Sequence, residues 1–226
     1  MSTLKELVND LERESGTIYQ AQRLTTVASP VGRQEKMVEW TIEAWRLIQT
    51  ARTDWPWMRK EFQSVLIPNQ RMYSAADLSI TDFANWERAT PSYAPFTLYD
   101  TALTQSDERE LAFITYQTWK AKWDRGIHDA QRPIDYAIDS ERRLCVGGKP
   151  DKAYVIRGAY RRKAQMLALD TDVPILPEEH HNIILWRAMM LMGGHDEAVN
   201  VVAHAQSIYN RLHRDLVNDS TEPVTA

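Results

Sequence analysis

The order of two hydrophobic periodicities along the chain is the feature that most limits its fold. Near both ends, apolar residues recur at the three- or four-residue spacing typical of amphipathic helices. Between them lie short strand-like runs, and the clearest is 152–162, where Tyr154, Ile156, Gly158 and Tyr160 share one face. We therefore expect a mainly α protein, a helical bundle formed by the N- and C-terminal helices with an inserted β-rich section.

All of these segments are expected to belong to a single domain covering residues 1–226. The predicted segments are a helical bundle from 1–60 and 174–216, a β-rich insertion at 61–173 with one helix near 106–124, and a flexible C-terminal tail at 217–226. The helix near 106–124 is predicted because Ser106 can serve as its N-cap and acidic residues follow in the first turn. The tail is predicted from the polar composition of the last ten residues.

The composition supports a folded chain without disulfides. Of the 226 residues, 43% are hydrophobic, which is enough to form a core. The single Cys excludes a disulfide framework and a Cys-rich zinc site. The N-terminus lacks the basic start and apolar run of a signal peptide, and no stretch approaches the roughly 18 apolar residues of a membrane span. We expect synthesis in the cytoplasm and no membrane partner.

No pattern of residues identifies catalytic chemistry. His180 and His181 are adjacent, so on a helix their side chains point about 100° apart and do not readily share one ion. Cys145 lies in a strand-like run, where burial would leave its thiol inert. The pair Gly147-Gly148 indicates a hairpin turn, because no phosphate-binding Lys-Ser/Thr follows it. We expect no metal, no cofactor and no enzymatic activity, and an enzyme with an unrecognised site is the least supported hypothesis.

A basic stretch at residues 141–163 stands out from an acidic chain. It holds eight basic and two acidic residues, while the whole chain has a net charge of -4. The candidate contact residues on its strand are Arg157, Arg161 and Arg162. The stretch either meets an acidic partner or a phosphate backbone, or forms a sheet face whose counter-charges come from neighbouring loops. The first reading supports an alternative function, a helical DNA-binding or DNA-packaging-associated protein.

The eight tryptophans are the second unusual feature. Trp40 and Trp45 lie about 140° apart on their predicted helix, so they cannot both face one core. Trp55 and Trp57 follow the end of the same helix. Because Trp is enriched at protein interfaces, we select Trp45 and Trp57 as candidate subunit or partner contacts.

Several segments follow one another in a characteristic order. They are an aromatic cluster at Glu39 to Trp45 and Trp55 to Met58, β segments at 62–67, 71–73 and 78–83, a strand at 153–160 leading into a proline-marked loop at 170–177, and two final helices at 181–192 and 196–216. This layout resembles the head–tail adaptor (connector) proteins of tailed bacteriophages, of the longer podovirus- or siphovirus-like type. The resemblance covers nearly the full length and is one of pattern.

The resemblance implies a structural virion protein at the head–tail junction, not an enzyme. Such proteins assemble as a ring, commonly of twelve copies, that binds the portal protein and extends the DNA channel used in DNA ejection. The ring also docks tail nozzle or stopper components, and double-stranded DNA passes transiently through it. In some of them the C-terminal segment lies along the portal. By position that segment is 217–226 here, which makes Val217 and Val224 candidate contacts.

Overall fold

The computed structural model describes residues 2–16 and 23–220. It divides the chain into two compact units, one formed by 1–58 with 164–226 and the other by 59–163. Residues 164–173, which the sequence analysis placed in the β-rich section, belong to the first of these units.

The described residues contain five α-helices and nine β-strands. The helices are α1 (Leu4–Ser15), α2 (Arg33–Thr50), α3 (Tyr116–Trp119), α4 (Asn182–His195) and α5 (Val199–Asp219). The strands are β1 (Arg59–Leu66), β2 (Met72–Tyr73), β3 (Phe83–Trp86), β4 (Phe96–Asp100), β5 (Arg109–Glu110), β6 (Ala112–Phe113), β7 (Asp135–Ile138), β8 (Leu144–Gly147) and β9 (Tyr154–Arg162). Short 3-10 turns lie at Pro56–Met58, Thr104–Asp107 and Glu178–His180, and a π-helical turn at Lys120–Asp124.

The prediction of a mainly α fold is wrong. The described residues are 39% helical and 21% strand, with two sheets, so the protein has a mixed α/β fold. The helix predicted near 106–124 caused part of the error. The segment opens with a 3-10 turn and two short strands, and α-helix begins only at Tyr116. The apolar spacing of Trp119 and Trp123 was correctly helical, but pairing of β5 with β4 and of β6 with β7 overrides helix propensity before it.

The first unit is helical, and local sequence signals account for where its first helix begins. Thr3 and Glu6 form a capping box: the Glu6 amide donates to Thr3 Oγ1 at 3.3 Å, and the Thr3 amide donates to Glu6 Oε2 at 2.8 Å. Gly16 ends the helix in the left-handed conformation. The Leu4 amide donates to Asp172 O at 2.8 Å, which joins the start of α1 to the loop before α4.

Helix α4 is the centre of this unit, because it packs against α1, α2 and α5. Its sequence is apolar almost all round, which is typical of a deeply buried helix. Gly193 and Gly194 do not end it, since the helix continues to His195. Gly193 instead allows close packing: a Cβ there would lie 3.0 Å from Val202 Cγ2 on α5.

The second unit contains both sheets. In the first sheet the strand order is β1-β9-β4-β5, with β3 also paired to β9; in the second it is β2-β8-β7-β6, in which β6 and β7 are parallel. The strand predicted at 152–162 is confirmed and is central, because β1, β3 and β4 all pair with it. Gly158 in this strand leaves room for two aromatic rings, since a Cβ would lie 2.4 Å from Phe96 Cδ1 and 2.8 Å from Phe62 Cε1.

The hairpin turn predicted at Gly147-Gly148 is wrong, because the strands on either side of it, β8 and β9, belong to different sheets. Gly147 is the last residue of β8, and of the two glycines only Gly148 has a positive φ, 93°. Strand β8 instead forms a hairpin with β7, whose turn lies at 139–143 and uses Arg142 at φ 62°. Asp139 makes this possible without glycine, because its side chain hydrogen bonds to backbone amides of the turn.

Candidate functional site

The basic stretch begins in the β7–β8 turn, where Asp139 organises two arginines. Asp139 Oδ1 accepts the amides of Glu141 and Arg143 at 2.9 and 2.8 Å, and Oδ2 accepts Arg143 Nε at 2.7 Å. Burial opposes ionisation of Asp139, but the hydrogen bonds and charge of Arg143 outweigh it, and the pKa of the carboxyl is lowered. Arg142 turns the other way and donates to Ala84 O at 2.8 Å.

Two further cations of the stretch are paired with acids from neighbouring elements. Lys152 forms an ion pair with Asp100, whose pKa it lowers, and Asp100 is only 4% exposed. Arg157 Nη1 lies 3.3 Å from both carboxylate oxygens of Glu108, which also accepts the Thr97 hydroxyl. Acidic residues of the same unit therefore pair with Arg143, Lys152 and Arg157, three of the eight basic residues of the stretch, and neutralise part of its positive charge.

The candidate arginines lie on strand β9. Arg157 and Arg161 are four residues apart and share one face, whereas Arg162 lies on the opposite face. Arg161 stands opposite Arg59 of β1, which ion-pairs with Glu87 at 3.8 Å. All three candidate arginines are partly exposed at the surface of the sheet unit.

The candidate tryptophans of the helical unit form one stack. The rings of Trp45 and Trp57 are 5.5 Å apart and nearly parallel, and the rings of Trp57 and Trp55 are 5.4 Å apart. Trp45 is fully buried, Trp57 is half-buried, and Trp55 Nε1 donates to Ile48 O at 3.0 Å. Trp57 is therefore the candidate that presents part of this stack to the surface.

Trp40, which the helical rotation separates from Trp45, meets a different group of residues. Arg33 lies over its ring at 4.8 Å and His195 lies beside it at 5.2 Å. Arg33 also donates to both carboxylate oxygens of Asp196. The expectation that Trp40 and Trp45 cannot both face one core is wrong, because the partly buried Trp40 packs against the same hydrophobic core that contains Trp45.

The candidate contacts at the C-terminus fall in two places. The tail was predicted to begin at Val217, but α5 continues through Asp219, and Val217 packs half-buried against the helical core. Asp219 Oδ2 lies 2.9 Å from the Nε2 atom of His180, which links the last turn of α5 to the turn before α4. Val224 lies outside the described residues.

The remaining residues considered for chemistry have structural positions. The His181 ring is buried, with Nδ1 accepting the Ser2 amide at 3.2 Å and Nε2 lying 3.0 Å from Leu176 O. Cys145 is buried as predicted, and burial raises the pKa of its thiol to about 12. The described residues contain no cluster of three or more His, Cys, Asp or Glu side chains suited to a metal ion. Among them, every helix falls short of the length or hydropathy that a membrane crossing requires.

Comparison with known protein families identifies the family of this chain. The model of the SU10 adaptor protein family matches residues 2–225, nearly the whole chain. The chain belongs to the SU10 adaptor protein family. This confirms the predicted resemblance to phage adaptors, and the protein is a structural component of a phage particle. As an adaptor it contacts other head and tail proteins of the phage. A search of curated proteins found no match.

The sequence analysis did not identify the buried carboxylates that hydrogen bond to neighbouring elements within the adaptor's sheet unit. Asp135 is 6% exposed, and its Oδ2 accepts Lys122 Nζ at 2.6 Å and Trp123 Nε1 at 3.2 Å. Asp100 and Asp139 have similar roles at two other turns. The only signal available was the position of each acid at the end of a strand, which does not distinguish a buried carboxylate from a solvated one.

Proposed function

We propose that this protein is the head–tail adaptor ring of a tailed phage, joining the portal protein to tail components and extending the DNA channel. The observation that carries the proposal is the family match over residues 2–225. The proposed assembly is a ring of this chain, by analogy with twelve-membered adaptors, with double-stranded DNA in transient contact during ejection. The proposed location is the head–tail junction of the virion, after synthesis in the host cytoplasm.

The charge distribution supports a channel component over the alternative DNA-binding protein. Counted over the two units, the helical unit has 10 basic and 17 acidic residues, and the sheet unit has 17 basic and 14 acidic residues. Within the sheet unit, Arg143, Lys152 and Arg157 are held in ion pairs. A protein built to hold DNA through phosphate contacts would keep such cations available, because released counterions drive that binding.

The candidate contact residues remain part of this proposal. Trp57 offers an aromatic surface on the helical unit, while Arg157, Arg161 and Arg162 offer one on the sheet unit. Ring closure requires two different surfaces on each copy, because the contact between neighbours is heterologous. The C-terminal segment that includes Val224 is proposed to bind the portal, and Val217 leads into it on α5.

Electron microscopy of the protein mixed with its portal tests the proposal directly. The expected result is a ring of this chain stacked on the portal ring. A chain ended after Ser220 keeps α5 and its buried Leu216 intact, so loss of portal binding in this variant would locate the contact in 221–226. A portal that stays bare in the presence of excess full-length protein would overturn the proposal.

A second measurement separates the adaptor from the DNA-binding alternative. Filter binding of duplex DNA at several salt concentrations should show only weak retention at physiological salt. Tight retention with a steep salt dependence would favour the alternative function that uses 141–163.

A further inference from the structure

The sheet unit carries a groove at the open edge of both sheets, and most of the residues that line it are apolar. The groove has a volume of about 610 Å³ and lies between the loop 89–94 and the short edge strands β5 and β6. Tyr93 is 39% exposed and Phe113 is 53% exposed. The residues that line it are Ala89, Thr90, Pro91, Ser92, Tyr93, Ala94, Glu110, Leu111, Ala112 and Phe113. An apolar groove beside an unpaired strand edge is a surface that a partner can cover.

The aromatic walls of the groove are fixed in position. The ring of Phe113 packs 5.4 Å from the ring of buried Tyr136. Arg59 lies 5.0 Å over the ring of Tyr93, and Thr90 and Tyr93 exchange backbone hydrogen bonds at 3.0 and 3.2 Å. The groove is therefore formed before any partner arrives, which lowers the entropy lost on binding.

The charge among the residues that line the groove is negative. Glu110 is the single charged residue among those that line it, and no ion pair within the described residues involves it. An occupant of the groove should therefore combine a small apolar side chain with a nearby cation.

The same unit presents such a pair of side chains on a loop tip. Ile127 is fully exposed, two residues after Arg125, and within the described part of the chain Arg125 has no ion-pair partner. The Arg125 amide donates to Lys120 O at 3.2 Å, His128 Nε2 lies 2.7 Å from Arg125 O, and the His128 ring lies 5.9 Å from that of Trp123. These contacts fix the shape of the loop, and Ile127 does not line the groove of its own copy.

We propose that the Arg125–Ile127 loop of one copy binds the Tyr93–Phe113 groove of the next copy, as one contact between neighbours in the ring. Ile127 would fill the apolar groove, and Arg125 would pair with Glu110. Loop and groove are different surfaces of the same unit, so the contact is heterologous, as ring closure requires. The inference rests on the proposed ring and adds which surfaces of two copies meet.

Disulfide trapping between two differently tagged full-length variants tests the contact. Ile127→Cys in one copy and Ala112→Cys in the other would bring two thiols together, while native Cys145 stays buried in both. The matched control replaces Ala112→Cys with Leu103→Cys, which is 56% exposed and outside the groove. We expect cross-linked heterodimers to form several-fold faster with Ala112→Cys than with the control, both in concentrated protein and on the portal. Equal rates under both conditions would overturn the contact.

Charge exchange tests the second half of the contact. In the same trapping assay, Arg125→Glu or Glu110→Arg alone should reduce the yield by about two- to fivefold, and mixing the two variants should restore it. Failure of the mixture to recover would refute the Arg125–Glu110 pair. Imaging of the wild-type chain with its portal keeps the two proposals apart. Rings without preferential trapping would refute this contact alone, and preferential trapping without rings would refute the ring alone.

Discussion

Arg33 donates from Nη1 to Asp196 Oδ1 at 2.8 Å, and its other terminal nitrogen donates to Asp196 Oδ2. The pair joins the first turn of α2 to the residue that follows α4. Arg33 first, and then His195 at 3.0 Å, lower the pKa of the Asp196 carboxyl well below its usual range. A planar two-point contact of this kind fixes two helix ends that are 163 residues apart in the chain.

Asp196→Asn is expected to lower the free energy of unfolding by about 0.5–1 kcal/mol at pH 7, since the pair is partly exposed. The folded-state pKa of Asp196 is depressed, so its contribution is present above the unfolded value of about 4 and is lost as pH falls through the folded value. The difference between the melting temperatures of the two proteins should therefore be largest near pH 7 and should narrow from about pH 4 down to pH 2. Glu39→Gln, in the more exposed Lys36–Glu39 pair, is the control and should change little. A gap that stays constant across this range would contradict the assignment.

Gly158→Ala should destabilise the sheet unit, because the added Cβ would overlap the rings of Phe96 and Phe62. Overpacking of this kind typically costs about 1–3 kcal/mol. The matched control is Gly194→Ala on α4, where no atom lies within 4 Å of the added Cβ. That variant should stabilise the protein by about 0.4–1 kcal/mol, because it removes the backbone freedom of glycine in the unfolded chain. Urea unfolding followed by circular dichroism would measure both, and an unchanged midpoint for Gly158→Ala would contradict the packing.

The sequence patterns located most elements but not the balance between helix and sheet. Capping at Thr3, the end of α1 at Gly16 and the alternation in β9 are all local signals, and the strand at β9 was predicted correctly. Strands β5 and β6 are only two residues long and exist because β4 and β7 pair with them, so no local pattern reveals them.

The interaction surfaces were harder to predict than the elements, for a related reason. The basic stretch looked like a patch, because the acids that neutralise it come from other segments: Glu108 lies 49 residues before Arg157 in the chain. Asp196 follows α4 and binds Arg33, which lies 163 residues earlier in the chain. The exposure of Ile127 likewise follows from the shape of its loop, which depends on contacts with Lys120 and Trp123.

Cys145 should be inert towards thiol reagents in the folded protein. Burial raises the pKa of its thiol to about 12, so the reactive thiolate is scarce and shielded at pH 8. Incubation with a chromogenic disulfide reagent should give no rapid release, and addition of denaturant should give one equivalent, since the chain has a single Cys. Full labelling within seconds under native conditions would show that the second unit opens far more easily than its packing indicates.

Glu108→Gln should increase the affinity of the protein for duplex DNA. The change releases Arg157 from its ion pair and adds a net positive charge to the sheet unit. Each additional phosphate contact steepens the dependence of log affinity on log salt by about 0.9. Filter binding at low salt should show that Glu108→Gln retains duplex DNA more tightly than the wild type. The control is Glu61→Gln, because Glu61 is exposed and has no ion pair in the described residues. The control should change DNA affinity only through the net charge of the protein. Equal retention for both variants would mean that the Arg157–Glu108 pair does not limit contact with phosphates.

Substitutions at Trp45 and Trp57 should have different effects, the first on stability and the second on assembly, although the two rings stack 5.5 Å apart. Trp45→Ala removes a fully buried ring and should lower the free energy of unfolding by about 3–5 kcal/mol. Trp57→Ala removes a half-buried ring, so this variant should lose less stability than Trp45→Ala. If Trp57 contacts a neighbouring copy or a partner, the variant should also form fewer rings on the portal under conditions where the chain remains folded. Circular dichroism at the imaging temperature establishes folding, and particle images count the rings. Normal ring numbers for a folded Trp57→Ala variant would assign Trp57 to the core stack alone.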